Sequence, residues 1–337
     1  MKNTITDVPG IRVGHAQNLA AGTGCTVVIC EEGAVTAVDV RGGAPGTRET
    51  DCLHPANLVS RAHAVYLSGG SAFGLDGAAG VMKYLEEKGV GFDTGVAVVP
   101  IVPGAVLFDL IVGDPKVRPD GEMAYQACLG AAPQNTRQGN VGAGTGATVG
   151  KALGPSFCMK SGLGTASICK GSLIVGAIAA VNCFGDVIDP ATGGIIAGTL
   201  NEDKSTFADS LKIITEHPEK KAAAFPTNTT IGVVATNAVM DKAGALRVAM
   251  AAHDGFARTM NPAHTMFDGD TVFCMSTWTR TGTRTGTRTG AGADKVESDL
   301  TAVCALAAEV MAAAVVNAVK KSSSLYGLPA AADIKRR

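Results

Sequence analysis

Glycine fills 43 of the 337 positions, well above its average share of about 7% in globular proteins. The glycines follow no G-X-Y period, so a collagen-like rod is excluded. What remains is a chain whose backbone segments pack very closely, turn tightly and approach ligands without an intervening Cβ. Hydrophobic residues make up 46% of the chain and charged residues 18%, which suits a compact, enzyme-sized core and excludes intrinsic disorder.

Several function classes fall away early. The formal net charge is −1, and the only basic cluster is the terminal Lys335, Arg336 and Arg337. Phosphate neutralisation needs a clustered positive surface, so no nucleic-acid partner is expected. The N-terminus lacks an apolar signal region, and apolar stretches such as 173–181 are too short to span a bilayer. A soluble, cytoplasmic protein without a membrane partner is expected. The nine cysteines contain no CxxC pair and fit neither a disulfide framework nor a zinc site.

Strand-like runs at 24–30 and 34–40 flank Glu32 and Gly33, which read as a hairpin turn. A run at 62–67 leads into a helix that ends near Lys88, with Gly89 as its stop. Strand character is expected at 96–103, 105–111, 173–181, around Val187 and Ile188, at 231–235 and at 271–277. Helices are expected over 241–259 and 298–320. The charged stretch 200–222 reads as an exposed linker, and the threefold Thr-Arg-Thr-Gly repeat at 279–290 as a basic loop.

The glycine motifs do not support nucleotide binding. Between Gly146 and Gly150 lie three residues, and Ala152 follows Lys151, so the phosphate-loop pattern fails on both counts. The Gly142–Ala147 segment lacks the helix and acidic residue of a dinucleotide site. Asp268-Gly-Asp270 is too short for a calcium loop. Ser71 stands outside a G-x-S-x-G elbow. Of the six histidines, His264, four residues before Asp268, is the one to watch, and a structural role is the expected one.

Asn228-Thr229-Thr230 lies where the linker meets an apolar strand. A hydroxyl at Thr229 could attack the Asn228 carbonyl, and hydrolysis of the resulting ester would release a threonine with a free α-amine. Such an amine has an unperturbed pKa near 7.7–8.0 and can serve as the base for its own hydroxyl.

An ordered series of motifs then becomes specific. They are Thr6-Asp-Val-Pro-Gly-Ile-Arg-Val-Gly-His15, Asp39-Val-Arg-Gly-Gly-Ala-Pro-Gly-Thr-Arg-Glu-Thr50, Leu67-Ser-Gly-Gly-Ser-Ala-Phe-Gly-Leu75, Val99-Pro-Ile-Val-Pro-Gly104, the tract 139–151, Ala180-Val-Asn182, Asn228-Thr-Thr230 and Asp268-Gly-Asp-Thr271. Together they resemble the DmpA/NylC family of self-processing N-terminal-nucleophile aminopeptidases and oligoamide hydrolases, over nearly the whole chain.

The resemblance implies a mixed α/β fold arranged as a four-layer αββα sandwich, cut into residues 1–228 and 229–337 that stay folded together. It implies Thr229 as nucleophile, Lys151 as a cation beside it, Asn182 as an oxyanion donor, and Asp268 and Asp270 as the acidic pair that orients the nucleophile. Gly69, Gly70, Ser71 and Phe108 are expected to line the substrate pocket. One position departs from the nylon-oligomer hydrolases: where they carry an oxyanion-site tyrosine, this chain has Phe108, whose ring cannot donate a hydrogen bond. No metal or organic cofactor is implied. The expected substrate is a small peptide or amide with a free amine, and the expected assembly a homo-oligomer, with a tetramer favoured. An endo-acting oligoamide hydrolase and an uncleaved small-molecule-binding relative stay open as alternatives.

Overall fold

The computed structural model describes residues 1–216, 228–278 and 296–334. The 279–290 repeat and the end of the 200–222 stretch lie outside the described residues.

The architecture is organised by one strand. Thr23–Val40 runs for 18 residues. Its first half pairs with Arg12–Asn18 and with Arg61–Ser68, and its second half pairs antiparallel with Thr271–Ser276. Glu32 and Gly33 therefore do not form the expected hairpin. The register against Arg61–Ser68 slips between Ile29 and Ala34, and Gly33 takes a left-handed φ of 75°, a conformation open to glycine at little cost. The two apolar runs have different neighbours, so the chain kinks and carries on instead of turning back.

Through this strand, a nine-stranded sheet passes from one layer into the next. One layer holds Leu163–Lys170, Leu173–Asn182, Thr229–Thr236, Thr271–Ser276 and the second half of the long strand. The other holds its first half with Arg12–Asn18, Arg61–Ser68, Gly104–Val106 and Thr47–Arg48. Side chains on a strand alternate between faces, and the core follows that rule. Val28, Cys30, Val65 and Leu67 meet Ile178, Ile231, Val233, Phe273 and Met275 between the layers. Val27, Ile29, Ala64 and Tyr66 point the other way, onto helices Ala78–Glu87 and Gly121–Leu129. Val175, Ala177, Val234, Val272 and Cys274 face helices Lys242–Ala257 and Leu300–Lys320. The result is the expected αββα sandwich. Each fully buried Val, Leu, Ile, Phe or Met side chain stabilises it by about 1.5–3 kcal/mol.

Close approach accounts for part of the glycine content. A Cβ on Gly164 would lie 2.0 Å from the Ala314 carbonyl oxygen, and one on Gly255 2.6 Å from that of Ala308. Both contacts bring helix Leu300–Lys320 against its neighbours. This helix has 21 residues, 18 of them in a window of mean hydropathy 2.0, and among the described residues it is the one long and apolar enough to cross a membrane. Val303, Val310, Met311, Ala314 and Val315 on it are buried in the core beneath the sheet, which explains its apolar character.

Helix Lys242–Ala257 begins where the sequence places it, while helix Gly121–Leu129 was not expected. The Asp120 and Asp241 carboxylates accept from Met123 and Gly244 N–H, caps worth about 1 kcal/mol each. The helix after the 62–67 run ends at Glu87, with Lys88 as its cap and Gly89 at φ 68°. Strand structure at 96–103 is confined to Val98–Val99. Val96 is 95% exposed and has no core to join.

Candidate active site

Thr229 opens a wholly buried strand, Thr229–Thr236, and is 3% exposed. The antiparallel register sets it directly opposite Asn182, the last residue of Leu173–Asn182. On its other side the strand runs parallel to Thr271–Ser276, beginning at the pair Ile231 and Thr271. That register brings the loop before Thr271, with Asp268, Gly269 and Asp270, to the nucleophile end of the strand.

The Thr229 hydroxyl donates to the carbonyl oxygen of Asn228 and accepts the Gly269 N–H at 3.1 Å. A Cβ on Gly269 would stand 2.8 Å from Thr229 Oγ1 and 2.7 Å from the Ala44 carbonyl oxygen, so the donor can reach the hydroxyl because the residue has no side chain. Asp270 accepts the Thr230 N–H at 2.8 Å on Oδ1. Asp268 accepts the Phe184 N–H at 3.0 Å on Oδ1, and the Thr265 N–H and hydroxyl on Oδ2. The acidic pair therefore grips the strand after the nucleophile with one carboxylate and the segment after Asn182 with the other.

The Asp39–Thr50 motif locks this loop from outside. Arg41 N–H donates to the Asp270 carbonyl at 2.9 Å and Ala44 N–H to that of Asp268 at 2.8 Å. A Cβ on Gly42 would fall 2.3 Å from the Asp268 carbonyl oxygen and 2.3 Å from the Asp270 nitrogen. Two motifs far apart in sequence thus form one interlocked turn.

Lys151 and Asn182 form the third piece. Lys151 is 3% exposed, and its Nζ donates to the Thr148 carbonyl at 3.0 Å, the Asn182 carbonyl at 3.0 Å and Asn182 Oδ1 at 3.1 Å. Burial brings its pKa down to about 8, against the opposing influence of Cys158, Cys183 and Asp268. Asn182 Oδ1 also accepts the Thr148 N–H at 2.9 Å, while Nδ2 donates to the Phe108 carbonyl at 2.9 Å. These partners fix the amide's orientation, because the oxygen faces donors and the nitrogen an acceptor. Phe108 thus meets the site through its backbone, and no ring hydroxyl is needed for that contact.

Gly69, Gly70 and Ser71 gather around the next residue, Asp109. Asp109 accepts the Gly70 N–H at 2.7 Å and the Thr23 hydroxyl at 2.7 Å. Burial pushes it up to about 6, against those two bonds. Gly70 and Ser71 have positive φ, 82° and 54°, and Ser71 N–H donates to the Leu107 carbonyl at 3.0 Å. Beneath the glycine tract, Lys160 is fully buried and donates to the Gly144 carbonyl at 3.2 Å and the Ala147 carbonyl at 2.9 Å. Asp109 and Lys160 were not among the sequence candidates. The available signal was a charge inside an apolar run, Asp109 after 105–108 and Lys160 beside Met159.

Burial, followed by the neighbouring Asp270 carboxylate, pushes Asp268 up to about 7 from 3.8. A carboxyl raised on folding keeps its proton longer in the native state. Its contribution to stability is full below about pH 4 and is lost as pH rises through 7. Asp268→Asn removes this titration. The melting temperature of wild type is therefore expected to fall relative to Asp268→Asn as pH is raised from 4 to 8; parallel curves would contradict the shift.

The sequence profile of peptidase family S58 matches residues 3–331. An uncharacterized aminopeptidase of Mycobacterium tuberculosis is 45% identical over 98% of each chain. The 6-aminohexanoate-oligomer endohydrolase of a Kocuria strain is 33% identical over 93% of this chain and 85% of its own. Among solved structures, the L-aminopeptidase D-Ala-esterase/amidase of Ochrobactrum anthropi, described as a variant of the Ntn hydrolase fold, superposes with a TM-score of 0.70. It does so at 18% identity, over 97% of this chain and 88% of its own, and that likeness concerns the fold. The chain belongs to peptidase family S58 and is a hydrolase of peptide and amide bonds.

Proposed function

We propose that the protein is an autoprocessing N-terminal-threonine hydrolase in which Thr229 cuts its own chain and then cleaves small amides. The observation that carries this reading is the placement of the Thr229 hydroxyl, in contact with the Asn228 carbonyl and held by the Gly269 N–H. In processing, Oγ1 bonds to the Asn228 carbonyl carbon, the carbon–nitrogen bond breaks, and the Thr229 nitrogen takes the proton. Water then hydrolyses the ester, leaving a carboxylate on Asn228 and a free amine on Thr229, with residues 1–228 and 229–337 as two subunits.

In turnover that amine accepts the hydroxyl proton as Oγ1 attacks the substrate carbonyl. The acyl-enzyme forms as the leaving amine departs with a proton, and water releases the acid. Asn182, opposite the nucleophile, supplies the amide that faces the developing oxyanion, a type of donor worth roughly 3–4 kcal/mol. Lys151 stays largely cationic below about pH 8 and disfavours a second positive charge on the nearby amine. Asp270 anchors the Thr230 amide, and Asp268 balances Lys151. Gly69, Gly70, Ser71 and Phe108 form the substrate-pocket wall.

The substrate class that fits best is a short peptide or a β- or D-amino acid amide with a free amine. Identity to the Kocuria endohydrolase favours an oligoamide as the second reading. Release of free amino acid from a dipeptide amide, with an N-blocked oligoamide left intact, is the expected result. The reverse preference would replace the exo-acting reading with the endo-acting one. A cytoplasmic homo-oligomer, with a tetramer favoured, completes the proposal, and light scattering on the purified protein checks the assembly.

A further inference from the structure

We infer that His264 is a positioning residue for the nucleophile, acting through Asp270; the inference rests on Thr229 being the nucleophile. The imidazole meets the reacting strand through a single carboxylate. Asp270 Oδ2 accepts both the backbone N–H of His264, at 3.1 Å, and its ring Nδ1, at 2.8 Å. The same carboxylate accepts the Thr230 N–H on Oδ1 at 2.8 Å. The Thr229–Thr230 peptide is thereby tied to the ring through one rigid group, and Asp270 itself is fully buried.

The ring is held in turn. His264 takes a left-handed φ of 55°, which lets its N–H and Nδ1 reach the same oxygen. It packs edge to face with His253, with centroids 4.9 Å apart, and at a tilt against Phe256 at 6.4 Å. His253 is anchored from the other side by Nε2 on the Asp39 carbonyl at 3.0 Å. Since Nδ1 faces a carboxylate, it carries the ring proton. Nε2 of His264 is then the bare nitrogen, buried without a hydrogen-bond partner among the described residues. One ring nitrogen is committed to Asp270 and the other makes no hydrogen bond among the described residues, so the polar contact of the ring goes to that carboxylate.

Without Nδ1, the carboxylate is held by backbone donors alone, Thr230 N–H on Oδ1 and His264 N–H on Oδ2, and this weaker hold loosens the Thr230 amide and the hydroxyl one residue away. Misplacement of a reacting group by about 1 Å costs on the order of 100-fold in rate. The test compares His264→Ala and His264→Asn with wild type and Thr229→Ala, measuring the rate of self-cleavage and, on processed enzyme, kcat and KM separately. Asparagine tolerates the left-handed backbone and offers an amide donor at the distance of Nδ1.

His264→Ala is expected to lower kcat and the cleavage rate by roughly 10- to 100-fold with KM nearly unchanged, and His264→Asn to restore most of both. Equal kcat in wild type and His264→Ala, even with a lower Tm, would assign a purely structural role and overturn the inference. So would an Asn variant as slow as the Ala variant. If Thr229→Ala is inert while His264→Ala matches wild type, this inference alone fails. If Thr229→Ala is cut and active, the underlying reading fails and takes this one with it.

Discussion

Thr229→Ala is expected to abolish amide hydrolysis, with kcat reduced on the order of 10⁴-fold or more, as when the nucleophile of a coupled catalytic group is removed. The loss is twofold. The variant has no hydroxyl to attack the substrate, and it cannot release the amine that would activate one. Its fold should survive, because alanine leaves the strand register with Leu173–Asn182 unchanged and gives up one hydroxyl that accepts from Gly269. Thr229→Ser keeps the hydroxyl and should still process and turn over, at a rate altered by the lost methyl contact. Steady-state kinetics on the two variants separates the account from any in which Thr229 merely opens a strand: there, serine and alanine would behave alike.

The second large effect is expected at Lys151. Lys151→Met retains the apolar stem and removes the ammonium, leaving the Thr148 and Asn182 carbonyls and Asn182 Oδ1 without that donor. Activity should fall roughly 10²- to 10³-fold, the range for loss of one preorganised electrostatic group, because Asn182 loses a partner that fixes its amide and the amine loses the neighbouring cation. Stability carries its own signature. Burial lowers the Lys151 pKa from 10.5 to about 8, so the native state sheds its proton before the unfolded chain does. That contribution is present above about pH 10.5 and is lost as pH falls through 8. Between pH 8 and 10.5, wild type should therefore gain stability relative to Lys151→Met. Denaturant titrations at the two pH values check this, and a constant difference would contradict it.

The sequence carried the strands better than their connections. Continuous, largely apolar runs at 24–30, 62–67 and 231–235 identify the strands, because a strand buried on both faces shows that burial in its own local composition. The role of Gly33 is not local: whether a glycine between two apolar runs turns the chain or kinks it depends on which partners the runs acquire, here Arg61–Ser68 for one and Thr271–Ser276 for the other. The site shows the same division. Thr229, Lys151, Asn182, Asp268 and Asp270 were named from ordered motifs, and the structure brings them to one end of the strand Thr229–Thr236. Their division of labour was hidden. That Asn182 reaches the Phe108 carbonyl, or that Gly42 must lack a Cβ to seat against Asp268 and Asp270, follows from contacts between segments scores of residues apart. Asp109 and Lys160 escaped for a related reason: a buried charge looks like any other charge until the groups that satisfy it are seen.

The most direct test of the central claim is the intact mass and N-terminal sequence of freshly purified wild type. The account predicts two fragments of 228 and 109 residues held in one particle, the second beginning Thr229-Thr230-Ile231. A single uncut chain of 337 residues that still hydrolyses amides would contradict the account, since catalysis would then proceed without a free amine on Thr229.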